Sequence, residues 1–216
     1  MKLDYDIAFY KDRTVKTEDG MTFFIVRKIG ELAVPTGAVL ACEPVVGYDG
    51  AAFTTRIPVG IYPVILSVAK FKYDERVAYA KLQISEKPSV RWEMAAVSGQ
   101  DIDSLAADEV FGYPVDSGTG CFMDAETAGV FADVIDEDYA HLMLGEMDKN
   151  YTPTWSWADF KFNGTSGNLI TFSTGFGDGV YASYFGFDKD DKIAALVTDF
   201  ALFEELYFES NDDDYK

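Results

Sequence analysis

Three aspartates stand in settings that could support chemistry: Asp116, Asp124 and Asp178. The first two bracket Ser117-Gly118-Thr119-Gly120. The third lies in Gly175-Phe176-Gly177-Asp178-Gly179-Val180-Tyr181. Glycines let a backbone approach a ligand closely, and carboxylates supply the oxygens that Mg²⁺ or Ca²⁺ prefers. The same aspartates also suit a plainer role. An aspartate next to glycine bonds the amides of its own turn, and Asp124 stands where it would cap a helix. Turn or cap, ligand site, and metal-assisted catalysis all remain open at this level. The candidate binding set is Asp116, Ser117, Gly118, Asp124, Gly177, Asp178, Gly179 and Tyr181, provided the two runs meet in space. No residue is assigned a catalytic role, and no cofactor is expected.

Other catalytic and binding motifs are incomplete. His141 is the only histidine, which leaves a zinc site without its usual ligands. A Cys121–His141 dyad would need a thiolate, and Cys121 sits in an apolar Cys-Phe-Met run that reads as buried. Gly118-Thr119-Gly120 and Gly175 to Gly179 are too short for a dinucleotide fingerprint, and no Walker lysine follows. Asp188-Lys189-Asp190-Asp191 opens like a calcium loop, but Ile193 stands where that loop needs glycine and Asp199 where it needs glutamate. A hairpin turn is the better reading of it.

Composition narrows the function classes. The net charge is -19, with 37 acidic against 18 basic residues in a chain of 216. A surface that negative repels phosphate backbones, so nucleic-acid binding is not expected. It suits plain solubility or a basic protein partner. Hydrophobic residues make up 48% of the chain, enough to bury a core. The 17 Phe and 13 Tyr favour sheets, where aromatic side chains pack on a pleated face. The start, Met1 to Asp6, lacks the apolar stretch of a signal peptide, and no apolar run is long enough for a membrane helix. The expectation is a cytoplasmic protein with Cys42 and Cys121 as buried free thiols; a disulfide stays open.

The elements that must position these residues read as follows. Strands are expected over Met21–Val26, Ala38–Cys42, Ile61–Lys70, Arg76–Ile84 and Ser89–Met94. The third and fourth form a hairpin, with Pro63 near a strand start or on an edge. Residues 99–109 read as a loop with a helical turn. Tyr113 to Cys121 reads as two short strands around a Ser-Gly-Thr-Gly turn. A helix then runs from the Asp124 cap to Asp136, with a second short helix over Asp138–Met147. Residues 148–168 are mixed, and the aromatics Tyr151, Trp155, Trp157 and Phe160 read as a loop tucked over a sheet or as an exposed anchor. Strands over Leu169–Thr174, Val180–Phe187 and Lys192–Phe203 complete the chain before an acidic, frayed tail at 209–216. With no repeat or linker, the fold class is α+β: a single domain over 1–216, mainly antiparallel β-sheet, with a short helical insertion near 124–148.

Several phrases, in order, carry a family resemblance. They are Leu40-Ala41-Cys42-Glu43-Pro44, Pro58-Val59-Gly60-Ile61-Tyr62-Pro63-Val64, Arg76-Val77-Ala78-Tyr79-Ala80, Trp92-Glu93-Met94-Ala95, Val115-Asp116-Ser117-Gly118-Thr119-Gly120-Cys121-Phe122-Met123-Asp124 and Gly177-Asp178-Gly179-Val180-Tyr181. Over roughly residues 35–200 the sequence resembles the bacterial domain of unknown function 4241. The resemblance implies a soluble bacterial protein and carries over no catalytic residue. The functional expectation is a non-catalytic protein-binding domain with an acidic surface, and an immunity protein bound to a basic toxin is its most concrete form. The alternative is a metal-assisted hydrolase using Asp116, Asp124 and Asp178.

Overall fold

A computed structural model describes residues 4–10, 14–17, 20–46, 50–107 and 109–203. The larger sheet contains β1 (Thr14–Thr17), β2 (Gly20–Val34), β4 (Gly60–Lys70), β5 (Glu75–Gln83), β6 (Arg91–Met94), β12 (Ser183–Phe187) and β13 (Ile193–Asp199). Its order is β1-β2-β4-β5-β13-β12-β6. The smaller sheet is β3 (Val39–Cys42), β8 (Thr119–Asp124), β10 (Asn168–Ser173) and β9 (Trp157–Lys161), in that order. Every pairing is antiparallel. The fold is therefore α+β and mainly antiparallel, as the strand patterns imply.

The two sheets pack face to face, and strand alternation decides which side chains meet. Ala41, Phe122, Ile170 and Phe172 of the smaller sheet share one core with Leu32, Val64, Leu66, Leu82 and Leu196 of the larger. Each fully buried Leu or Phe contributes roughly 1.5–3 kcal/mol. A Cβ at Gly30 would stand 2.9 Å from Ile170 Cδ1, so β2 carries glycine where the Ile170 side chain of the smaller sheet presses on it. The opposite face of the smaller sheet, with Leu40, Cys121, Met123 and Leu169, is covered by α1 (Ala125–Val134) and α2 (Glu137–Asp148). The outer face of the larger sheet is covered by a 3₁₀ turn at Tyr5–Phe9, packed on Phe24, Ala69, Tyr79 and Val197. β3 is thus covered on both faces, which explains its unbroken apolar run.

Both helices start where side-chain chemistry dictates. Asp124 accepts from the Glu126 amide and Asp136 from the Tyr139 amide, each satisfying a donor the helix leaves free. Pro63 lies just past the last β4–β5 pair, Val64 with Leu82, so its missing N–H costs no ladder bond on that side. The aromatics of 151–160 fold inward: Trp155 and Phe160 are buried, Trp157 stacks on Trp155, and Tyr151 alone is exposed.

Several sequence expectations need correction. The strands flanking Ser117–Gly118 do not pair with each other. β7 (Tyr113–Val115) pairs with β11 (Gly179–Tyr181), while β8 joins the smaller sheet. The run 180–187 divides between β11 and β12 at Ala182, because the chain leaves the short ribbon to enter the larger sheet. The last strand stops at Asp199 rather than Phe203. The mixed segment contains a strand, β9. The acidic tail at 209–216 lies outside the described residues.

Candidate functional site

The two glycine-rich runs meet. Their strands pair in register, Tyr113 with Tyr181, Pro114 with Val180 and Val115 with Gly179. Beyond the ribbon the turns touch: a Cβ at Gly118 would lie 3.4 Å from Gly177 Cα, and the Thr174 amide donates to Gly118 O at 3.0 Å. Three glycines take positive φ there, Gly118 at 65°, Gly175 at 37° and Gly177 at 112°. L-residues with a Cβ enter that region at a cost of about 1–2 kcal/mol, so glycine is what the bend requires.

A web of hydrogen bonds holds the bend. The Gly177 amide donates to Thr174 O at 2.7 Å. The Thr174 hydroxyl and the Tyr181 phenol both donate to Gly177 O, at 2.9 and 2.8 Å. Burial pushes the Tyr181 phenol up from its ordinary value, so it remains a neutral donor at physiological pH. The Gly175 amide ties the bend to Val77 O of β5 at 3.1 Å.

The facing turn is anchored by a residue that the sequence disguises. Glu43 is buried, directly after β3. Its carboxylate accepts from the Asp116 amide at 3.2 Å, the Ser117 amide at 3.0 Å, the Ser117 hydroxyl at 2.7 Å and the Val45 amide at 2.7 Å. A buried carboxylate demands such partners, and here backbone amides and one hydroxyl meet the charge. In sequence Glu43 reads only as a strand stop before Pro44. The one available signal is an acid placed directly after four apolar strand residues.

On this frame Asp116 and Asp178 face solvent, as do Pro114, Phe176 and Val180. Phe176 is 67% exposed, although it stacks on Phe71 with ring centroids 6.3 Å apart and carries the Arg76 guanidinium 5.6 Å from its own centroid. A large apolar ring thus stays open to solvent, stacked on Phe71, on the same corner as two exposed carboxylates.

Asp124 is not part of this surface. It ends β8, five residues beyond Thr119, or about 16 Å along the strand. It is fully buried, and its oxygens accept from the Thr36 hydroxyl at 2.8 Å, the Thr36 amide at 3.1 Å and the Glu126 amide at 2.8 Å. Among the described residues no three His, Cys, Asp or Glu side chains stand close enough to hold a metal ion. The set Asp116, Asp124 and Asp178 therefore cannot hold one ion, and the hydrolase built on it is set aside. Of the eight candidate residues the corner unites seven and excludes Asp124.

The remaining sequence candidates also resolve. Cys42 and Cys121 are free and buried, opposite one another across β3 and β8 with Sγ atoms 3.5 Å apart. Burial, then the hydrogen bond with Cys42, pushes the Cys121 thiol up, away from the thiolate that nucleophilic attack needs. His141 is exposed on α2 and bonds Glu137 O, while Cys121 faces the buried side of that layer. Asp188 accepts from the Asp190 and Lys192 amides at 2.8 and 3.0 Å, a hairpin turn.

A model of the family described as protein of unknown function (DUF4241) matches residues 32–198. The chain belongs to that family. No curated protein and no solved structure matches it. The DUF4241 match contains every residue of the corner, its Glu43 anchor and the Asp124 cap. None of the helices among the described residues is long and apolar enough to cross a membrane.

Proposed function

We propose that this DUF4241 protein is a non-catalytic binding protein of the cytoplasm whose glycine corner engages a basic protein. Phe176 enters an apolar recess on the partner, and Asp116 and Asp178 pair with lysines or arginines around it. Immunity to a basic toxin is the most concrete form of this role. The observation that carries the reading is Phe176 itself, exposed yet stacked on Phe71, in a corner whose two aspartates also meet solvent. An aromatic anchor that is already rigid loses little entropy on binding and makes an effective hot spot. The charge of -19 adds a long-range pull on a basic partner, which raises the association rate and makes it salt-dependent.

The test uses the wild type and the triple variant Asp116→Asn, Phe176→Ala, Asp178→Asn as baits in extract from the native cell. The wild type should retain a basic protein that the folded variant does not. The association rate of the purified pair should fall as salt rises from roughly 50 to 500 mM, as screening shortens the reach of the charges. Equal capture by both baits, or a rate indifferent to salt, refutes the proposal.

A further inference from the structure

A cavity of about 260 Å³ opens on the other side of the larger sheet, between the 3₁₀ turn and the loop after β5. Its lining includes Phe9 and Tyr10 from the turn, Lys81 and Gln83 from β5, and Lys87 from the loop. Lys81 is the unusual member. Its side chain is only 10% exposed, and among the described residues its Nζ has one ion pair, to Asp6 Oδ1 at 3.5 Å. The Nζ also lies 4.2 Å from the centroid of the Phe9 ring. Asp6 is itself committed elsewhere, since its other oxygen accepts from the Ser89 amide at 2.7 Å. An ammonium with three donors is thus held at a cavity wall by one long contact and an aromatic face.

We propose that Lys81 is a site of covalent capture for a small aldehyde or ketone, which enters this cavity and condenses with Nζ to an imine. The ammonium first loses one proton to solvent. The lone pair of the free Nζ amine attacks the carbonyl carbon, a C–N bond forms, the carbonyl π pair moves to oxygen, and one Nζ proton passes through solvent to that oxygen. The C–O bond of the carbinolamine then breaks, the Nζ lone pair closes the C=N bond, and the second Nζ proton leaves with the oxygen as water. One amine and one carbonyl yield one imine and one water, with no oxidant or reductant required. Burial works in the same direction, pulling the Lys81 ammonium below its ordinary value and enlarging the fraction of free amine. Asp6 and Asp4 oppose this, but burial outweighs them. Glu86 and Lys87 are the other charged groups on the cavity lining.

The experiment treats the wild-type protein with acetaldehyde and cyanoborohydride near neutral pH, which reduces any imine to a stable ethylamine. Peptide mapping then gives the labelling rate at each lysine. Lys28 and Lys149, whose side chains are 53% and 66% exposed, serve as internal references. Lys81 should be labelled severalfold faster than either, because burial lowers its ammonium's value and leaves more of it as free amine beside the cavity. K81R should lose that adduct and leave the other sites unchanged. Labelling of Lys81 at a rate equal to or below the exposed lysines overturns the proposal.

Discussion

Asp199 offers a direct test of the energetics under the 3₁₀ turn. It closes β13 opposite Tyr79, beside Tyr5, and accepts from the Ala201 amide at 2.8 Å. Burial pushes its carboxyl up from 3.8 to about 6. Because the folded value lies above the unfolded one, the stability linked to this group is complete below pH 3.8 and drains away as pH rises through about 6. The gap of about two pH units, at about 1.4 kcal/mol each, makes the ionised form cost up to about 3 kcal/mol near neutrality. Asp199→Asn keeps an oxygen for the Ala201 amide and carries no charge at any pH. Urea unfolding should therefore find the variant more stable by up to about 3 kcal/mol near pH 7.5, and by about half that near pH 5, where the folded wild type holds its proton. All other carboxylates are common to both proteins, so the difference isolates Asp199. An advantage that does not change with pH, or a variant less stable near pH 7.5, would refute the assignment of a desolvated carboxyl whose value is raised by the fold.

Three further substitutions probe the corner and its surroundings. Glu43→Ala removes the acceptor of four amides and a hydroxyl, and should lower unfolding stability by about 3 kcal/mol in urea titration, with Glu43→Gln losing less because one oxygen remains. Gly118→Ala has room for its Cβ, so its cost should be the positive φ alone, about 1–2 kcal/mol by thermal or urea unfolding. Asn168 bridges the sheets by accepting from the Ala33 amide at 2.8 Å and donating to Glu31 O at 3.0 Å, so Asn168→Ala should cost about 2–3 kcal/mol and speed hydrogen exchange at Ala33.

Much of this architecture is legible in the chain because it is governed by local rules. Alternation along Val64, Leu66 and along Ala80, Leu82 marks one buried face per strand, whichever strands become neighbours. Asp124 announces a helix start, and the glycines at 118, 175 and 177 announce sharp bends, because sterics and orphan amides act within a few residues. What the sequence leaves open is pairing and placement. Nothing local says that β7, which ends at Val115, should pair with β11, which starts 64 residues later at Gly179, rather than with adjacent β8. Nothing local says that Asp124 is buried and Asp116 exposed, although one is sealed under Thr36 and the other meets solvent. The burial of Glu43 beneath the corner and of Lys81 beside the 3₁₀ turn likewise follows only from the packing of distant segments. The cost of burying a charge depends on the partners that surround it, and tertiary structure alone supplies those partners.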